Sequence, residues 1–472
     1  MAVEEPMARY AAEFVGTFLL VFTVGCNVLS GQPIFGGISI ACVLMVMIYS
    51  LGKSSGGNFN PAVSVALGIA KKMEWKEVGI YCAVQITAGI CGAICYVVMF
   101  GKSFNLAPTA GHTWWQAGLA ELLYTFMLCF VVLNTACSNE HSKDQFYGLA
   151  IGFVVVAGAY SGGSVSMGAF NPAVAFGIDV SSVFYGVKYS LLYAVFELLG
   201  AALAAGLYMV VRPEEETSKA MGIPEIPKVV RRLVSEFLGT YMLVLTVGLS
   251  VLGGSGAAAF AIAASLMCMI FALGSVSGAH FNPAVTTALL CAGHGTHPDK
   301  EPFTPMDGAM FIGTQLAGGI SGAFTYALLT NGKTFPLYSG AFGWHQALMA
   351  ELVFTFVLAF VVLSVATVKS PLTQYFGLAI GMCVTVGGYA IGKVSGASLN
   401  PAVSVGISTS HILGGGMFWP CIAYSAVEVL AGALASGAFF LTQPSEVKDV
   451  APWGKIASSI GYGATAEPKT GV

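Results

Sequence analysis

Apolar and polar residues follow one another in long blocks along this chain, without the alternation of a half-buried strand or the stripe of a soluble amphipathic helix. Apolar runs cover 9–30, 35–51, 77–100, 115–137, 146–162 and 185–211, and again 230–252, 256–273, 305–329, 344–368, 374–391 and 416–441. A helix crosses a bilayer with roughly 20 such residues, so the pattern predicts twelve spans. Four other apolar runs, of about ten residues each, are too short to cross. Each opens on the same tripeptide: Asn60-Pro61-Ala62, Asn171-Pro172-Ala173, Asn282-Pro283-Ala284 and Asn400-Pro401-Ala402. Asn is a good helix N-cap, and Pro suits the next position because its missing N–H has no intrahelical partner there. Upstream of each lies a loop of small residues, Gly52 to Gly57, Gly162 to Gly168, Gly274 to Gly278 and Gly392 to Ala397. The pattern predicts half-helices that begin at membrane depth.

One such tripeptide would be an ordinary capped helix after a Gly-rich turn. The four copies lie 111, 111 and 118 residues apart, each with a Glu upstream in a helical run: Glu13, Glu121, Glu236 and Glu351. Glu and Asn are separated by 47, 50, 46 and 49 residues. That regularity marks internal repetition. Within each half, three spans and a half-helix precede three more spans and a half-helix, and the odd number of crossings inverts the second set. Inverted repeats place a transport site at the midplane, where the broken helices meet.

Composition narrows the class. The chain is 56% hydrophobic and 9% charged, with 59 Gly in 472 residues and a net charge of −3. This is the balance of a polytopic membrane protein, with no charge signal for nucleic acid. Glycines at Gly89 and Gly92, Gly200 and Gly206, and Gly318 and Gly322 read as close helix contacts in lipid. Eleven Cys, including Cys26, Cys91, Cys95 and Cys268, lie mostly in apolar runs and suggest packing, with no metal cluster or disulfide framework. The opening acidic residues to Ala8 lack the basic region and cleavage site of a secretory signal. Arg212 to Arg232 is the long polar stretch between the halves, and composition predicts a flexible tail over 443–472. Arg9, Lys71, Lys72, Lys76, Lys143, Arg212, Lys219, Lys228, Arg231, Arg232, Lys300, Lys369, Lys448, Lys455 and Lys469 fall on one side of this topology, and Lys102, Lys188 and Lys333 on the other. The positive-inside rule then puts both termini and the linker in the cytosol.

A buried ionisable group in a span is a candidate proton relay. A re-entrant loop, however, carries backbone N–H groups that must be satisfied inside the protein, and a carboxylate at a fixed place in every repeat suits that need. Glu13, Glu121, Glu236 and Glu351 therefore read as loop supports, assisted by Gln85 and Gln315.

On these motifs the chain resembles two complete members of the major intrinsic protein (aquaporin) family fused in tandem. The resemblance implies an all-α membrane protein: two aquaporin-like bundles, each of six transmembrane helices plus two re-entrant half-helices in inverted repeats. It gives a first channel domain at 1–212, a cytosolic linker at 213–229, a second channel domain at 230–442 and a tail at 443–472. It also implies that Asn60 faces Asn171, and Asn282 faces Asn400, donating to a permeating molecule where two positive half-helix ends exclude cations. Counting from the motifs puts Ile40, Ala159, Gly168 and Val174 at the family's outer constriction in the first half, and Ile262, Gly388, Ala397 and Val403 in the second. The Arg that usually follows the second Asn-Pro-Ala is Val here, and no His or aromatic ring remains. Such a ring is wide and apolar, admitting glycerol, urea, ammonia or hydrogen peroxide besides water.

The expected protein is thus a passive channel with one pore per half. It is not an enzyme and needs no cofactor or metal. Its partners are water, small neutral solutes and the lipid of the plasma or vacuolar membrane. Family members gather four pores round one axis, so a homodimer would form a four-pore pseudo-tetramer. Two other classes share parts of the pattern. A twelve-span secondary transporter needs a coupling site, whereas Glu197, Glu428 and two loop lysines are nearly all the ionisable groups left. A non-conducting junction protein needs bulky residues that plug the pores, and none is evident. Lys53 in the first half and Lys393 in the second mark opposite re-entrant loops, with Ser275 and Ser164 at the matching places. A fixed cation there adds modest repulsion against cations, because charge near bulk water is screened beyond roughly 8 Å.

Overall fold

The computed structural model describes residues 5–185, 187–222, 224–293, 303–338, 340 and 342–447. Lys300, Lys448, Lys455, Lys469 and the tail over 448–472 lie outside the described residues. The first half contains α1 Glu5–Ser30, α2 Gly36–Ser55, α3 Pro61–Ile69, α4 Trp75–Phe100, α5 Trp114–Ala136, α6 Tyr147–Tyr160, α7 Pro172–Ser181 and α8 Ser190–Val211. The second repeats the order with α9 Lys228–Leu252, α10 Ala258–Ser277, α11 Pro283–Ala292, α12 Pro305–Leu329, α13 Trp344–Ala366, α14 Phe376–Ser395, α15 Pro401–Ile412 and α16 Pro420–Thr442. Ten of these are long and apolar enough to cross a membrane. The remaining two of the twelve long elements are α6, only 14 residues long, and α12, which is long enough but more polar.

The helices bury their glycine faces against backbone. A Cβ on Gly89 would stand 2.4 Å from the carbonyl oxygen of Ala173, and one on Gly200 2.4 Å from that of Leu122. Gly92, Gly318 and Gly322 meet neighbouring backbone in the same way, because dispersion contacts in lipid grow as backbones approach. Gly206 departs from the expectation, since a Cβ there meets nothing within 4 Å. Cys95 also departs: it is exposed on α4 and packs no core.

Three boundaries differ from the sequence reading. The small-residue stretches before the half-helices are largely helix: α2 runs to Ser55, α10 to Ser277 and α14 to Ser395, and Gly163–Ser166 is a short helix. Glycine lowers helix propensity, but these turns continue spans packed in the bundle, and tertiary packing outweighs a weak local preference. Second, α1 begins at Glu5, four residues before the expected start of the first span at 9. Third, the polar stretch after α8 is not a free coil. Glu216–Ala220 is a short helix, and Arg212, Glu215 and Ser218 are buried. Glu215 accepts from Lys72 Nζ at 3.0 Å and from the Asn139 N–H at 2.8 Å, tying the end of the first half-helix to the loop between α5 and α6. Arg212 reaches the other half, donating to Ser275 Oγ at 2.6 Å. After α16, Pro444–Val447 is likewise a short helix, and Glu446 accepts from the Lys369 N–H at 2.8 Å.

The halves pack through α5 and α6 of the first against α9 and α10 of the second. Phe146 stacks on Phe271 with ring centroids 4.3 Å apart, and Tyr124 and Thr246 share a hydrogen bond of 3.0 Å.

Candidate functional site

The four Asn-Pro-Ala copies cap four half-helices in one geometry. Asn60, Asn171, Asn282 and Asn400 each have extended backbone, and each side-chain oxygen accepts the N–H of the Ala two residues on, at 2.9 Å. Pro61, Pro172, Pro283 and Pro401 start the helices, where no N–H is wanted, and Ala62, Ala173, Ala284 and Ala402 are buried. The side-chain nitrogens cross to the opposite loop. Asn60 Nδ2 donates to the Phe170 carbonyl and Asn171 Nδ2 to that of Phe59, both at 2.9 Å. Asn282 donates to Leu399 and Asn400 to Phe281, both at 2.8 Å.

The residue before each Asn is strained. Phe59, Phe170, Phe281 and Leu399 have φ of 51°, 50°, 50° and 54°, a left-handed conformation that bulky residues rarely adopt. Such strain persists where surrounding contacts over-determine it. Here the carbonyl is held by the opposite Asn, and the N–H by a buried carboxylate. Glu13 accepts from the N–H groups of Asn58 at 3.0 Å and Phe59 at 2.7 Å, and from Ser55 and Gln85. Glu121 accepts from Ala169 at 3.0 Å, Phe170 at 2.6 Å and the Ser166 hydroxyl. Glu236 takes the N–H groups of His280 and Phe281, with Ser277 and Gln315 completing it. Glu351 takes those of Ser398 and Leu399.

Two carboxylates join this set that spacing alone leaves without a role. Glu197 on α8 accepts the Asn171 N–H at 2.8 Å, and Glu428 on α16 accepts that of Asn400 at 3.1 Å. Their signal in the sequence is position: they sit on the last span of each half, as Gln85 and Gln315 sit on the third.

Each pair of motifs borders a cavity. The first, of about 1320 Å³, is lined by Asn60, Asn171, Ile40, Ala159, Gly168 and Val174. It reaches Gln32 and Pro33 at one end of the spans and Arg9, Lys53, Lys72 and Glu74 at the other. The second, of about 400 Å³, is lined by Asn282, Asn400, Ile262, Gly388, Ala397 and Val403. Tyr160 and Met167 in the first cavity, and Phe335 in the second, line the walls without having been singled out by counting from the motifs. Lys53 occupies the last turn of α2 and Lys393 the last turn of α14, so neither stands in a loop, and Lys393 is not among the residues that line the second cavity. The described residues hold no group of His, Cys, Asp and Glu able to bind a metal ion.

A profile of the Major intrinsic protein family matches residues 3–208, 157–252 and 227–419. The chain belongs to the major intrinsic protein family. The three matched stretches, with the repeated capping geometry, mark tandem copies of this channel family. It is 30% identical to a probable aquaporin, NIP4-2, of Arabidopsis thaliana over 36% of this chain and 62% of that protein. It is 31% identical to a probable NIP-type aquaporin of Nicotiana alata over 44% of this chain and 80% of the relative. Among solved structures, the aquaglyceroporin of Plasmodium falciparum aligns at 20% identity and a TM-score of 0.41, over 44% of this chain and 97% of its own. Each match spans less than half of this major intrinsic protein. It is an integral, multi-pass helical protein, and its relatives are channels for water and small solutes.

Proposed function

We propose that each half is an independent passive pore for water and small uncharged solutes that excludes ions and protons. The observation that carries this reading is the crossed pair of Asn amides within each cavity. It fixes two half-helix N-termini against each other, and their partial positive charges repel a cation at the same point. Each amide nitrogen has two hydrogens and gives one to the opposite loop, which leaves one for a molecule in the cavity. The eight residues at the outer constriction offer no cationic side chain, so glycerol, urea, ammonia and hydrogen peroxide are not held back there. Glu13, Glu121, Glu236 and Glu351 act as supports of the loops, with both oxygens of each engaged, and not as proton carriers.

The protein sits in the plasma or vacuolar membrane with both termini cytosolic, and two chains form a four-pore ring. Support for the ring comes from the faces left over. In the contact between halves, the membrane-spanning windows of α5, α9 and α10 are 89%, 78% and 72% buried; those of α13, α1 and α2 are 33%, 44% and 22% buried. Buried Cys268 on α10 touches the other half at Ala150, while its counterpart Val46 on α2 is 43% exposed. A second copy offers the missing face, continuing the contact that the two halves already make.

Osmotic shift of vesicles holding the purified protein, without any ion gradient, tests the channel. Water and glycerol fluxes should follow the osmotic step, and Asn171→Leu should silence one pore and Asn400→Leu the other. Loss of all flux in either variant would refute independent pores, and a flux that needs an ion gradient would point to a coupled transporter.

A further inference from the structure

The two inner mouths are built on the same positions with different side chains. Two residues before the first Asn of each half stand Asn58 and His280. His280 is 4% exposed, with Nδ1 3.1 Å from Thr286 Oγ1. Its ring stands at a steep angle to Phe303 and Phe311, at centroid distances of 5.2 Å and 5.1 Å, and those two rings meet each other at 5.2 Å. The guanidinium of Arg232 lies over both, 5.8 Å and 5.1 Å from their centroids, with Asp307 at 3.7 Å. The imidazole is therefore held in a rigid aromatic and cationic frame.

In the first half two of the three parts of that frame are softer or turned away. Asn58 donates to Ser64 Oγ at 3.0 Å and lies 3.7 Å from Met73 Sδ. Counted from Gln85 and Gln315, Met73 occupies the place of Phe303, and a thioether chain adapts where a ring does not. Tyr81, in the place of Phe311, has its hydroxyl tied to the Ser55 carbonyl at 2.8 Å. Arg9, in the place of Arg232, is exposed and borders the cavity.

The cavities follow this difference. The first continues past Asn58 to Leu67, Met73, Glu77 and Tyr81. The lining of the second, among the described residues, ends at Ala279, His280 and Val285 and includes none of α12.

Resting on the channel reading above, we propose that Asn58 and His280 set the size limit of the two pores at their inner mouths. The first pore carries polyol- or urea-sized solutes as well as water, and the second is restricted to water. A molecule wider than water must pass a planar ring that the Phe303–Phe311–Arg232 frame keeps from moving aside. At Asn58 it meets a smaller amide beside the adaptable thioether of Met73.

The experiment isolates each pore with Asn400→Leu or Asn171→Leu and measures glycerol and water flux in vesicles. The first pore alone should show the higher glycerol-to-water ratio. Asn58→His in that background should lower the ratio about fivefold, the step that one hydrogen-bond-sized change of barrier produces. His280→Asn in the isolated second pore should raise it. Equal ratios in the two isolated pores would overturn the proposal while leaving the channel reading intact; absence of any osmotic flux in either pore would overturn the channel reading itself. Should Asn58→His stop water as well, the outcome of His280→Asn decides alone, and an unchanged ratio there refutes the size limit.

Discussion

A buried carboxylate that takes two backbone N–H groups cannot be replaced by its amide without loss. Glutamine offers a single acceptor oxygen and turns an NH₂ toward a donor. Glu236→Gln strands one of the His280 and Phe281 N–H groups, at about 1–3 kcal/mol for an unsatisfied buried donor. The expected result is a lower unfolding temperature and loss of flux confined to the second pore, read by thermal scanning and by flux in the Asn171→Leu background. Outer-constriction residues should respond differently. Val174 and Val403 are buried and border the cavities, so Val174→Arg with Val403→Arg narrows both pores and adds donors. Glycerol and urea flux should then fall more than water flux; an equal fall would mean that these positions do not select.

Among elements, the loop between α5 and α6 and the segment after α8 carry several of the polar contacts between halves. Burial holds His141 below the ordinary histidine range, and nearby Arg212 pushes the same way, partly opposed by its hydrogen bond to Asp144 at 2.6 Å. Its Nε2 is 3.0 Å from Ser275 Oγ, which also accepts from Arg212. The folded protein thus favours neutral His141. The stability this supplies is complete above the unfolded pKa of about 6.5 and is lost as pH falls from there toward the folded value. Thermal scans from pH 7.5 to 5.5 should show a smaller acid loss for His141→Asn than for the parent; identical slopes would exclude His141 as a source. Glu215→Gln tests the strap itself. It weakens the contact with Lys72 and should cost about 2 kcal/mol, the scale of a hydrogen bond to a charged group. Protease cutting between α5 and α6 should rise with it.

At the scale of the whole molecule, the proposed four-pore ring would rest on matching faces. Leu123 on α5, a helix that meets the other half, is 8% exposed, and Val353, its counterpart on α13, is 46% exposed. Val46→Arg places a charge where the second chain would pack. Particle mass in detergent should move from two chains to one, while the contact inside each chain, made by other helices, stays. A parent protein already running as a single chain would refute the ring.

Helix positions and the fourfold Asn-Pro-Ala repeat were legible in the sequence, because a bilayer demands about twenty apolar residues per span and a half-helix needs a cap. The spacing of Glu13, Glu121, Glu236 and Glu351 from their motifs was legible for the same reason, since one loop geometry was built four times. What the chain pattern could not carry were contacts between residues far apart in sequence. The crossed Asn amides join positions about 110 residues apart, Glu197 and Glu428 acquire partners when α8 and α16 pack, and the strap made by Arg212 and Glu215 looks like a linker until its carboxylate meets Lys72. Local propensity reports on neighbours within a few residues. The frames around Asn58 and His280 were set by packing, because in each half the groups that build them arrive from two separate helices and a loop.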